Sequence, residues 1–306
     1  MNRLTIRVPA STANLGPGFD SVGMALNRFL TLEVYDHDEW VFEQVSPLLP
    51  PLPADGDPFI LKIARQTADL HHASLAPCRV VVDSEIPLAR GLGSSASAVV
   101  AGIELANYAG NLGLSPQEKL DLASKIEGHP DNVAASLFGG LIVSAEHGDG
   151  RFEVVPFFDI MADLLLFIPD YELKTEDARK VLPEFYVRKE AVKGSAASNL
   201  FIAALIGGQY ELAGKMMEQD RFHEPYRIKL IPEFMEIRQL AKSLGAYGTV
   251  ISGAGPTIIS LVPFGRAEAM AETLQAHFPH MSVEAAKIDH TGLVVEKFAA
   301  FNMLNH

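Results

Sequence analysis

Two glycines and three serines fall within the stretch Gly91-Leu92-Gly93-Ser94-Ser95-Ala96-Ser97 of this 306-residue chain. Such residues, set between an apolar run and a helical stretch, build anion sites. Glycines let backbone N–H groups crowd together and approach an oxyanion closely, and a helix start adds the positive end of its dipole. The hydroxyls of Ser94 and Ser95 are of a kind to bond phosphate or sit on a metal ion. The same residues also suit a plain serine cap on a surface helix. No Lys follows the glycines, so this is not a P-loop, and their spacing is not that of a dinucleotide fold.

Other residues with chemistry in them come in clusters. Asn14 and Asp20 share a turn-rich loop, and Glu127, His129, Asp131 and Asn132 crowd six positions. Lys174, Thr175 and Arg179 form a basic set with Arg227, which closes His223-Glu224-Pro225-Tyr226-Arg227. A Gly-rich bend, Ser252 to Thr257, could lie against the first loop. Each alone also reads as turn chemistry, helix-terminal charge or a solvated side chain. In combination they supply a phosphate loop, a carboxylate and hydroxyl for a divalent cation, and cations for an acidic substrate. That is the equipment of a phosphotransferase, where catalysis is mostly positioning and charge neutralisation.

The elements that must position these residues can be read from periodicity. Leu4, Ile6 and Val8 alternate with polar residues as a half-buried strand ending at Pro9, and a second apolar segment runs to Val34. Prolines at 47, 50, 51, 53 and 58 mark a stiff surface loop. Phe59, Ile60, Ile63, Ala64, Thr67 and Leu70 then recur at helical spacing. A strand over 79–86 feeds the Gly/Ser loop and a helix over 96–109. Ser115-Pro116-Gln117-Glu118 is a helix start with a capping box and Pro at the first position. A short helix opens after His129-Pro130, and strands are expected at 139–144, 152–156 and 163–168. Beyond Thr175 helices are expected over 175–182, 185–206, 209–219, 233–244 and 265–276. Strands flank the 252–257 bend, and one more covers 282–288. The change of texture places a boundary between domains 1–160 and 161–306.

Hydrophobic residues make up 48% and charged residues 21%, a globular composition with a substantial core. A formal charge of −13 argues against nucleic acid or an anionic membrane as partner. The single cysteine excludes an internal disulfide and a cysteine zinc site. Arg3 and Arg7 interrupt the first apolar segment, against a signal peptide, and the longest apolar stretch, 200–208, is too short to span a bilayer. A cytoplasmic protein is expected.

Pro87-Leu88-Ala89-Arg90-Gly91-Leu92-Gly93-Ser94-Ser95-Ala96-Ser97 resembles the second motif of the GHMP small-molecule kinases, and 252–257 resembles their third. The first motif, Pro9 to Asp20, and the segments 127–133 and 223–227 are similar to those of the branch that phosphorylates L-homoserine. The resemblance spans Pro9 to Thr257. It implies an α+β fold of two domains, an N-terminal one with a left-handed βαβ crossover and a C-terminal ferredoxin-like sandwich, with the site in the cleft between them. It implies ATP-dependent phosphorylation of the homoserine side-chain hydroxyl to O-phospho-L-homoserine for threonine synthesis, and a homodimer.

Carried over by position, residues 87–97 would wrap the ATP phosphates, and Ser95 with Glu127 would hold Mg²⁺. Arg179 and Arg227 would clamp the substrate carboxylate. Asn14, Asp20, His129, Asp131 and Asn132 would face the amino-acid end and the hydroxyl, and Thr175 the transferring phosphate. Asp131, Asn132, Thr175 and Arg179 are the expected catalytic set. Two departures stand out: Lys174 where the family often has Ser, and Asp57 where relatives tend to have Asn. The second puts a side-chain contact to adenine from this segment in doubt. Two other readings fit less well: a GHMP kinase for a mevalonate-like or sugar acceptor, and a non-catalytic amino-acid sensor. Asp20 and Asp131 suit an ammonium-bearing substrate, and a sensor needs no Mg–ATP cradle.

Overall fold

The computed structural model describes residues 3–298, which form two sheets with helices packed on them. The first sheet contains β1 (Arg3–Ala13), β2 (Val22–Asp36), β3 (Val41–Gln44), β4 (Cys78–Ser84), β5 (Leu141–Glu146) and β6 (Phe152–Phe157). Its 15-residue β2 serves two partners: residues 30–36 pair with β4, and residues 22–24 pair with β5. β3 and β4 are parallel, joined through α1 (Phe59–Leu70), the βαβ unit of the molecule. α2 (Ser94–Ala109) and α4 (Asp131–Phe138) lie on β1 and β2, and α3 (Pro116–Glu127) flanks α2. Small residues let α2 sink into the core from Ala96 to Ala106, and Gly102 sits tight against Ile60 and Ile63 of α1.

The second sheet is antiparallel, order β10-β7-β9-β8, from β7 (Ala162–Pro169), β8 (Gly248–Ile251), β9 (Ile258–Pro263) and β10 (Met281–Ala286). Between β7 and β8 run α5 (Thr175–Lys180), α6 (Arg188–Ile206), α7 (Tyr210–Met217), α8 (Glu224–Arg227) and α9 (Phe234–Ser243); α10 (Ala267–Gln275) joins β9 to β10. That strand order is the ferredoxin-like one. β7 is buried at every position because both its faces are covered. Leu165 and Phe167 face a small core with Phe234, Ile237, Leu274 and Phe278, whereas Leu164, Leu166 and Ile168 join the main core shared with the first sheet.

The chain then returns: β11 (Val294–Phe298) pairs with Arg3–Arg7 of β1. A division at 160/161 therefore misplaces this strand, which covers the otherwise open edge of β1. No helix of the described residues is long and apolar enough to cross a membrane. The helix expected from Ala96 starts at Ser94, because Gly93 in the left-handed region (φ 69°) ends the loop. α6 starts at Arg188, three residues later than expected.

Candidate active site

A cavity of about 380 Å³ opens where the two sheets meet. From the loop side it is lined by Ala89, Gly91, Gly93, Ser94, Ser95 and Ala96, and from the rest of the chain by Asn14, Asp20, Glu127, His129, Asp131, Asn132, Thr175, Arg179 and Arg227. Every polar residue singled out from the sequence as a substrate or metal ligand thus reaches one cleft. The first motif and the expected bend also contribute Ala13, Gly253 and Ala254, and the tertiary fold adds Ile126 and Leu173, whose sequence types carried no signal.

Not all of 87–97 faces the cleft. Leu92 is buried beneath the loop, and Ser97 Oγ donates to the Ser94 carbonyl. Pro87 and Leu88 line neighbouring cavities, and the Arg90 guanidinium is turned away onto the carbonyls of Leu88, Pro169 and Asp170. Their work is to shape the loop. α2 begins without a side-chain cap, so the N–H groups of its first turn point at the cleft. The glycines answer first to the protein itself. A Cβ on Gly91 would overlap the Ser252 carbonyl and come 2.9 Å from that of Gly255; on Gly93 it would strike Ser11 Oγ. Ser252 Oγ donates to the Gly91 carbonyl at 2.6 Å and Thr257 N to that of Arg90 at 3.1 Å, so the bend expected near the loop is bonded to it.

At the other end of the cleft the charges are interlocked. Arg179 binds Asp20 through two N–H···O bonds, 2.8 and 3.2 Å. These two, expected to take opposite ends of a zwitterion, take each other because opposite charges face across a half-exposed gap. His129 Nδ1 lies 2.7 Å from Asp131 Oδ1, which also accepts from Asn132 N. Burial opposes a charge on His129, yet the bond and charge of Asp131 outweigh it and hold its pKa above the usual value. Asp20, His129 and Asp131 converge closely enough to hold a metal ion. Arg179 already supplies the positive charge there, and an oxygen-only pair fits Mg²⁺ better. Ser95 Oγ donates to Glu127 Oε1 at 2.6 Å, which makes an oxygen-only pair of that kind on the cleft wall.

Asn14 lines the cleft and is also bonded within the protein. Its Nδ2 donates to the Gly253 carbonyl at 2.9 Å and its Oδ1 accepts from Asp20 N at 3.0 Å. It ties the bend to the first motif and aims Asp20, from a left-handed backbone (φ 70°) that Asn tolerates. Phe19, overlooked in the sequence, stacks on His223 and lies under both guanidiniums, 5.7 Å from Arg179 and 5.4 Å from Arg227.

Arg227 is only 2% exposed yet reaches the cleft. Its Nε donates to the Ala178 carbonyl, and one terminal nitrogen donates to Gly253 O (3.0 Å) and His223 Nδ1 (3.2 Å). His223 is therefore a neutral imidazole that gives its Nε2 proton to Gly16 O and accepts at Nδ1. Its pKa is lowered by burial, with Arg227 adding to the effect against Asp220. Behind it Glu224 joins Arg238 (2.5 Å) to Ile251 N (3.0 Å).

Burial pushes the Glu224 carboxyl up from 4.5 to about 7, although Arg238 pulls it down. The folded state then holds this proton more tightly than the unfolded chain, so stability falls as pH rises through that window. Relative to Glu224→Gln, the wild type should lose about 1–3 kcal/mol between pH 4.5 and 8 in urea melts. Parallel curves would show that Glu224 is ionised throughout.

A second, apolar cavity of about 460 Å³ shares Ser94 and Ser95 with the cleft. The proline loop forms one wall (Leu49 to Pro53) and Pro58, Phe59 and Ile60 another. Asp57 pairs with Arg65 outside it at 2.7 Å. Lys174 is exposed, at the start of α5.

The GHMP kinases N terminal domain matches residues 58–140 and the GHMP kinases C terminal domain residues 201–280. The fold and cleft are those of this class of ATP-dependent kinases. The homoserine kinase of Bacillus licheniformis is 48% identical over 293 residues, 96% of this chain and 95% of its own. That of Staphylococcus saprophyticus is 48% identical over 296 residues, 96% of this chain and 97% of its own. The solved homoserine kinase of Cytophaga hutchinsonii has a TM-score of 0.82 at 26% identity, covering 96% of this chain and 97% of that one. The chain belongs to the homoserine kinases, a branch of the GHMP family.

Proposed function

We propose that the protein transfers the γ-phosphoryl group of ATP to the side-chain hydroxyl of L-homoserine. The observation that carries this reading is the cleft itself, with a phosphate loop at one end and both signs of charge at the other. Gly91, Gly93 and the uncapped first turn of α2 receive the phosphates, and the apolar cavity beside them takes the base. Ser95 and Glu127 hold Mg²⁺, which when bound neutralises phosphate charge. Arg227 and Arg179 bind the substrate carboxylate, Asp20 and Asp131 the ammonium, and Asn132 the hydroxyl. Thr175 lies at the transferring group. The hydroxyl oxygen bonds to the γ-phosphorus as the bond to the bridging oxygen breaks, its proton passes to the transferred phosphoryl oxygens and on to water, and ADP leaves. Residence in the cytoplasm and a homodimer go with this reading on family grounds. A panel of hydroxylated acceptors with Mg–ATP in a coupled assay tests it; turnover with a mevalonate-like or sugar acceptor and none with homoserine would refute it.

Asp131 orients the substrate. One of its oxygens already accepts three N–H bonds, from His129 and from the backbone and side chain of Asn132, and a loose transition state needs little prior deprotonation. Asp131→Asn should therefore lower kcat by only about tenfold while raising homoserine KM. Loss of nearly all kcat with homoserine binding intact would make Asp131 an obligatory base.

A further inference from the structure

The phosphate loop has one cation, Arg90, and it does not face the phosphates. Its side chain is mostly buried (14% exposed), and its guanidinium is spent on carbonyls and on the Glu172 carboxylate, 3.6 Å away. Nε donates to Pro169 O at 2.9 Å, one terminal nitrogen to Asp170 O at 2.7 Å and the other to Leu88 O at 3.1 Å. Pro169 ends β7, and Asp170 opens the segment that leads to α5. That segment carries Leu173, Thr175 and Arg179 into the cleft. A backbone bond, Leu173 N to Ala89 O at 3.1 Å, runs beside the same grip.

We propose that Arg90 is a positioning residue that couples the nucleotide loop to the substrate arm, residues 169–179, so that each ligand strengthens binding of the other. A planar fork holding carbonyls on both sides of the junction fixes their relative placement in a way a single ammonium cannot. Phosphates that order the loop thereby order Thr175 and Arg179, and by linkage homoserine on Arg179 orders the loop. This inference rests on the function proposed above.

Titration calorimetry of the full chain tests it, with homoserine added in the absence and presence of Mg²⁺ and the β,γ-imido analogue of ATP. Wild type should bind homoserine at least about fivefold more tightly with the analogue present. In Arg90→Ala that ratio should fall to within about twofold of one, while affinity for homoserine alone changes little. Arg90→Lys, which keeps the charge near Glu172, should give a ratio between the two and serves if the alanine variant does not fold. A ratio unchanged in both variants, or a wild-type ratio of one, overturns the coupling while leaving the proposed function standing. A purely structural Arg90 would weaken both ligands and preserve the ratio. Failure of wild type to bind homoserine at all would overturn the function together with the coupling.

Discussion

Gly91→Ala is expected to destabilise the protein by about 2–5 kcal/mol and to lower kcat/KM for ATP by 100-fold or more, on the order of what misplacing reacting groups costs. Two effects add. The backbone stands at φ 76°, where a Cβ is strained in any surroundings. The Cβ would also overlap the Ser252 carbonyl and lie 2.9 Å from that of Gly255, and both are main chain. No side chain can swing aside, so the loop or the bend must move. Because the bend carries Gly253, which both Asn14 and Arg227 grip, displacement spreads to the substrate end of the cleft. Urea denaturation and ATP kinetics check this together. A stable variant with normal ATP kinetics would mean that loop and bend are not in tight contact in solution.

Arg227→Ala should raise homoserine KM by about 100- to 1000-fold, as expected when a buried, hydrogen-bonded charge loses its partner. It should also cost about 2–3 kcal/mol of stability, because Ala178 O, Gly253 O and His223 Nδ1 lose their donor. The environment is already demanding: burial, with neighbouring Arg179 adding to it, brings the guanidinium down to about 10. Such a group gains from a bound carboxylate. Arg227→Lys restores charge without the fork, so it should recover only part of the affinity. If ATP KM rose while homoserine KM held, Arg227 would belong to the nucleotide. The effect on kcat should be smaller, since the carboxylate is bound alike in ground and transition states.

Sequence by itself determined the chemistry and most of the elements. Gly/Ser spacing and the crowding of Glu127 to Asn132 are local patterns, and Gly91, Gly93, Ser94, Ser95, Glu127, His129, Asp131 and Asn132 reached the cleft together with Arg179 and Arg227. Helix starts were legible where capping is local, as at Ser115, whose box with Glu118 forms in full. Tertiary structure decided what depends on distant neighbours. It paired β11 with β1, nearly 300 residues apart in sequence, which no local pattern encodes. It showed that Gly91 is a glycine because Ser252 approaches it, that Asn14 braces the site, and that Asp20 and Arg179 meet each other. It also turned Arg90 away from the phosphates, though in sequence it sits among them. A residue's type limits what it can bond; which partner it bonds is settled only when the chain brings distant backbone into reach.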